Sequence, residues 1–281
     1  MAGLTAGRRS RLTRRRLLAI GLGGIATLAL GAYGADRLEG SVLMRRNRRQ
    51  DSGAETAEQG RLLARPGPPV REGTPQLGLR PLGLGSGRDG LLRVPSGYKA
   101  DRPAPLALML HGAGGNARHG IAPLLDLADR AGLILLAPES RRQTWDVILG
   151  AYGPDIAFIN RALEHTFERY AVDPAHIAVG GFSDGASYAL SVGITNGDLF
   201  THVLAFSPGF IAPARQEGEP RLFISHGVHD QVLPINVCSR RIVPQVQRAG
   251  YDVTYREFDG PHTVPPDIAH EGLDWFIGEH G

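Results

Sequence analysis

The chain has 281 residues, 42% of them hydrophobic, with a formal charge of +3 and one cysteine. That length suits one catalytic-size domain plus an appendage, and a lone Cys238 excludes an internal disulfide and a cysteine-built metal site. Residues 1–50 hold eleven Arg against Asp36 and Glu39, so they carry +9 and the remaining 231 carry −6, which argues against a basic nucleic-acid-binding face on the body.

Arg8, Arg9, Arg11, Arg14, Arg15 and Arg16 precede an uncharged run from Leu17 to Tyr33, and small residues (Gly34, Ala35) follow. A basic start, an apolar stretch and a small-residue end form the layout of an export signal, assigned to residues 1–35. Thr13-Arg14-Arg15-Arg16-Leu17-Leu18 also resembles the twin-arginine export signal. The expectation is an exported protein, periplasmic or extracellular, with membrane contact limited to this segment if it stays uncleaved as an anchor. Residues 36–76 are polar, rich in Gly and Pro and without apolar periodicity, and read as a flexible linker.

Residues 77–281 read as the folded body. Leu77–Leu84 and Gly90–Val94 predict two strands joined by a Gly-rich turn. Leu106–Leu110, Leu133–Ala137, Ile177–Val179, Val203–Phe206, Leu222–Ser225 and Val253–Phe258 are short apolar runs of the kind found in buried parallel strands. Helical stretches separate them. Pro154 suits a first helical position, with Ile156, Ile159, Leu163 and Phe167 near one face, and Ile235–Ala249 and Pro266–Glu279 are further helices. Cys238 falls mid-helix and reads as core packing. The alternation implies an α/β fold, a mostly parallel sheet with helices on both faces, whose functional residues lie just beyond the carboxyl ends of the strands.

The residues at those ends carry chemistry. After Leu106–Leu110 comes His111-Gly112-Ala113-Gly114-Gly115-Asn116, a loop whose glycines let the backbone present an N–H to a developing oxyanion. Ala113 is the assigned donor, with Gly114 as the alternative, and His111 reads as structural, its ring bonded beneath the loop. Trp145, after Leu133–Ala137, lies on the same edge and is assigned to substrate binding, weighed against core packing of its loop. After Ile177–Val179 the chain runs Gly180-Gly181-Phe182-Ser183-Asp184-Gly185, a Gly-x-Ser-x-Gly turn between strand and helix. Such an elbow exposes the serine hydroxyl beside the first free N–H groups of the helix, and makes Asp184 N–H the second oxyanion donor. Asp230 follows Leu222–Ser225 and is placed to orient a histidine, with Asp259 as its rival. His262 follows Val253–Phe258 and is placed as general base.

Ser183, Asp230 and His262 therefore occur in the order nucleophile, acid, histidine. Over residues 77–281 this arrangement resembles the α/β-hydrolase superfamily. The motifs Gly-Phe-Ser-Asp-Gly, His-Gly-x-x-Asp and Gly-x-His resemble its phospholipase/carboxylesterase and poly(3-hydroxybutyrate) depolymerase or feruloyl esterase-like branches, as does the stretch from Trp145 to Ile159. The resemblance implies a serine ester hydrolase that needs no cofactor or metal and acts on a small-molecule or polymer ester. Only Ser207–Arg221 separate two strands where a helical lid would insert, so no large lid domain is expected. A serine peptidase or amidase on the same fold and a non-catalytic cell-envelope binding module are the alternatives.

Overall fold

The structure, a computed structural model, describes residues 56–69, 74–85 and 87–278. The export-signal segment and the linker up to residue 55 lie outside the described residues. Among the described residues, no helix is long and apolar enough to cross a membrane.

Eight strands form one sheet: β1 (Gly78–Pro81), β2 (Gly90–Val94), β3 (Ala104–Leu110), β4 (Ile134–Pro138), β5 (Val172–Phe182), β6 (His202–Phe206), β7 (Arg221–Gly227) and β8 (Val253–Phe258). Their spatial order is β1-β2-β4-β3-β5-β6-β7-β8. β1–β2 and β2–β4 pair antiparallel, and every other neighbour is parallel. The helices are α1 (Ala117–Leu125), α2 (Pro154–Phe167), α3 (Asp184–Thr195), α4 (Ser239–Arg248) and α5 (Pro266–Ile277), with a 3-10 turn at Asp146–Leu149. They cover two apolar cores, one on each face of the sheet. The alternation of strand and helix predicted this, because strands with both faces covered must be apolar throughout. β4 and β6 are buried at every position.

Three details differ from the sequence expectations. β1 is only four residues long, because the Asp89 carboxylate captures the N–H groups of Gly83 (2.8 Å), Leu84 (2.9 Å) and Gly85 (3.1 Å) and turns the chain out of the sheet. Helix α4 starts four residues later than Ile235, since Val237 and Cys238 donate to Pro234 O in a preceding turn. Cys238 is therefore an N-cap residue rather than mid-helix. It is fully buried all the same, and burial pushes its thiol up to about 11.

The third is the stretch from Thr56 to Pro66, which the sequence assigns to the linker. Ala57, Leu62 and Ala64 are buried in the body. Two side-chain amides fasten the backbone. Asn196 Oδ1 accepts from Leu62 N–H at 2.8 Å, and Asn160 Oδ1 accepts from Leu63 at 2.7 Å and Ala64 at 2.9 Å. Arg61 donates two bonds to Asp198, at 2.9 and 2.7 Å. Burying Leu62 is worth about 1.5–3 kcal/mol against about 0–1 kcal/mol for a surface ion pair, so apolar burial dominates the docking.

Candidate active site

β5 ends at Phe182 and α3 begins at Asp184, which leaves Ser183 alone in the turn with φ 58° and ψ −120°. A non-glycine residue held there costs about 1–3 kcal/mol and persists only where its surroundings fix it. Here Ser183 N–H donates to Phe206 O at 3.0 Å, and Ser187 N–H donates to Ser183 O at 3.1 Å. The flanking glycines are a steric necessity. A Cβ on Gly185 would lie 2.2 Å from Leu110 O, and one on Gly181 would lie 2.5 Å from the Gly185 carbonyl carbon.

The loops after β7 and β8 bring Asp230 and His262 to this hydroxyl. His262 Nε2 stands 2.9 Å from Ser183 Oγ, and Nδ1 stands 2.5 Å from Asp230 Oδ2. With Nδ1–H donating to the carboxylate, Nε2 is left as acceptor for the serine proton. Asp230 is buried, and its Oδ1 accepts from Val232 N–H (2.9 Å) and Leu233 N–H (2.7 Å), so the carboxylate is aimed before the histidine arrives. The Phe182 ring packs on the imidazole at 4.6 Å between centroids. Asp259 is turned away: its exposed carboxylate pairs with His229 at 2.9 Å. His226 stays beneath the acid loop, its Nε2–H donating to Leu233 O at 2.8 Å and its Nδ1 accepting from Ser239 Oγ at 2.7 Å, and burial lowers its pKa.

The loop after β3 runs alongside the nucleophile, where a Cβ on Gly112 would sit 3.4 Å from Ser183 Cβ. Gly114 turns with φ 67° and donates its N–H to Gln143 O at 2.7 Å, so it is spent. Ala113 N–H has no partner among the described residues, and Asp184 N–H, first in its helix, has no intrahelical acceptor. Two N–H groups on either side of Ser183 are thus unclaimed, at the two positions the sequence indicates.

His111 is buried as a brace. Ser140 N–H donates to its Nε2 at 3.0 Å, which leaves Nδ1–H to donate to Gly112 O at 2.7 Å, and burial lowers its pKa. Arg88, in the β1–β2 turn, donates to Gly115 O at 2.8 Å. No sequence pattern marks Arg88 or Gln143 as supports of this loop. Trp145, assigned from sequence to substrate binding, lies elsewhere: its side chain is 0% exposed. The indole donates to His111 O at 2.8 Å and stacks on Tyr188, so it supports the loop from within the core instead of facing the cleft.

A half-open cavity of about 610 Å³ begins at the Gly112–Gly115 loop and runs between α1 and α5. Ala122, Leu127, Phe182 and Val264 make most of it apolar, with His119 and Asp126 as polar groups on its wall.

No protein-family model matches the chain. Solved structures match the architecture: a ferulic acid esterase from Anaeromyces mucronatus, in complex with ferulic acid, superposes with a TM-score of 0.53 at 20% identity, over 74% of this chain and 92% of that one. The chain has the α/β-hydrolase fold. Among curated proteins, the chain is similar to feruloyl esterase C of Emericella nidulans, 30% identical over 159 residues, or 54% of this chain and 58% of that one. It is also 28% identical over 206 residues to a probable feruloyl esterase C of Aspergillus flavus, covering 66% of this chain and 75% of the relative. The match thus spans 58% of the first relative's length.

Proposed function

We propose that the chain is a serine carboxylic-ester hydrolase acting through an acyl-enzyme on small or accessible esters. The observation that carries this reading is the unbroken chain of hydrogen bonds from Asp230 through His262 to Ser183 Oγ, at 2.5 and 2.9 Å. His262 Nε2 takes the hydroxyl proton as Oγ attacks the ester carbonyl. The tetrahedral oxyanion falls between the N–H groups of Ala113 and Asp184, each worth about 3 kcal/mol to the transition state. Asp230 holds the imidazole in the Nδ1–H tautomer and stabilises the imidazolium. His262 then protonates the departing alcohol, and water, deprotonated by the same nitrogen, releases the acid.

The cavity between α1 and α5 takes one substituent of the ester. It opens at the proposed oxyanion loop, and its apolar lining suits an aliphatic or aromatic group. The names of the relatives favour including hydroxycinnamate esters among the candidates. The run of Arg8 to Arg16 before Leu17–Tyr33 supports export through the twin-arginine route.

Fluorophosphonate labelling of Ser183, with turnover of a p-nitrophenyl, feruloyl and hydroxybutyrate ester panel beside aminoacyl-anilides, tests the reading. Labelling with ester turnover is the expected result. Anilide turnover alone would make the protein an amidase, and no labelling of folded protein would make it a binding module. Export is tested by replacing Arg14 and Arg15 with Lys, which is expected to leave the protein in the cytoplasm.

A further inference from the structure

Three consecutive residues of the β4–α2 connection each hold a different part of the site. The Gln143 carbonyl accepts from Gly114 N–H at 2.7 Å, Thr144 Oγ1 donates to Asp184 Oδ2 at 2.6 Å, and Trp145 Nε1 donates to His111 O at 2.8 Å. This segment therefore bridges the two peptides that carry the unclaimed N–H groups, one in the loop after β3 and one at the start of α3. It is fastened from beneath by two buried carboxylates. Asp155 accepts from Arg141 N–H at 2.5 Å and Asp146 N–H at 2.7 Å, and Asp146 accepts from the N–H groups of Gly153 and Asp155 at 2.9 Å each. Tyr188 donates its hydroxyl to the remaining oxygen of Asp146 at 2.8 Å.

Within this frame Thr144 is the residue whose side chain reaches the elbow. Asp184 carries both a backbone donor and the carboxylate that Thr144 holds. A hydroxyl donated to Oδ2 fixes that carboxylate toward the β4–α2 segment. We infer that, within the ester-hydrolase reading above, Thr144 is a positioning residue for the oxyanion hole, acting through the Asp184 carboxylate. Its hydroxyl ties the segment that holds Gly114 to the start of α3, so that Ala113 and Asp184 face the same point. The mechanism described above does not call on it directly, since Thr144 touches neither the nucleophile nor the base.

The test uses the full chain with Thr144→Val, which keeps the shape and loses the donor, and Thr144→Ser, which keeps the donor. Misplaced catalytic groups cost about ten- to a hundredfold, and Thr144→Val is expected to lose that much in kcat with KM little changed. The affinity for a trifluoromethyl ketone, whose hemiketal oxyanion occupies the same hole, should fall by the same factor. Thr144→Ser should restore both. Asp184→Ala, which keeps the backbone donor, should cause a similar loss, and the double variant should be no worse than either single one. The proposal is overturned if Thr144→Val retains parental kcat, if Ser and Val variants fall together, if the loss lies in KM alone, or if the two single losses multiply. Thermal melts accompany each variant. If Thr144→Val does not fold, the comparison of Thr144→Ser with Asp184→Ala decides, because only the second should lose ketone affinity. Failure of the hydrolase reading itself would show separately, as no turnover and no fluorophosphonate labelling in the unsubstituted chain.

Discussion

The indole of Trp145 and the carbonyl of His111 are joined by a 2.8 Å hydrogen bond inside the protein, beneath the loop that borders the nucleophile. Trp145→Phe would keep an aromatic ring against Tyr188 and leave the buried carbonyl unpaired, which costs about 1–3 kcal/mol. The expected outcome is a lower Tm by calorimetry with KM for small esters unchanged, since the ring is fully buried. A selective rise in KM for aromatic esters would show that the ring is a substrate contact after all.

Asp230→Asn separates orientation from packing. Its Oδ1 already accepts from Val232 and Leu233 N–H, bonds that an amide oxygen preserves. The amide nitrogen would then face His262 Nδ1 and require it to be the acceptor, putting the proton on Nε2, where Ser183 needs a base. Turnover should fall by about 10⁴-fold with the melting temperature nearly intact. Near-normal rates in that variant would return the acid role to another group.

Gly185→Ala probes the elbow itself. The added carbon would lie 2.2 Å from Leu110 O and 2.6 Å from His111 O, both backbone atoms with no freedom to yield. Overpacking of this sort costs about 1–3 kcal/mol, and here it also pushes α3 away from β3. Ester turnover should fall much further than urea stability, because the displaced helix start carries the Asp184 donor.

The strand ends and the three residues proposed for the triad were legible because apolar runs of parallel-strand length mark where the sheet stops, and reactive side chains follow them at once. What sequence leaves open is the side of a loop a residue faces. Trp145 sits on the correct edge, yet its ring turns inward to stack on Tyr188 with centroids 5.1 Å apart. Supports such as Gln143 act through the backbone and leave no residue signature. The hydroxyls of Ser187, Ser191 and Thr195 did leave one, an i, i+4, i+8 spacing on an otherwise apolar helix. They accept from Gly209 N–H (2.9 Å), Ala212 N–H (3.0 Å) and Ala214 N–H (3.2 Å), binding the chain after β6 along α3 where a lid would otherwise sit. The stretch from Thr56 to Pro66 was unreadable for a different reason: its anchors, Asn160 and Asn196, are about a hundred residues or more away in sequence.

That stretch has a pH signature. The Arg61 guanidinium, hydrogen-bonded to Asp198, holds its carboxylate down to about 2 from 3.8. A carboxylate depressed in the folded state contributes stability above its unfolded value, and that contribution is lost as pH falls from about 4 toward 2. Asp155 runs the other way. Burial raises it from 3.8 to about 6, so the native state binds the extra proton and stability declines as pH rises across that interval. The buried His202, lowered by desolvation from 6.5 to about 4, opposes that decline, because its native state sheds a proton and stability rises with pH across the same interval. Urea midpoints should therefore rise from pH 2 to about 4, the limb that Asp198 sets. Arg61→Gln is expected to reduce the acid limb, with Arg65 still paired to Asp198, and to leave the slope between pH 4 and 7 as in the parent, since Arg61 bonds to Thr195 O and Asp198 and not to the Asp146–Asp155 pair. A changed slope between pH 4 and 7 in that variant would mean that undocking the stretch disturbs the body as far as the β4–α2 connection.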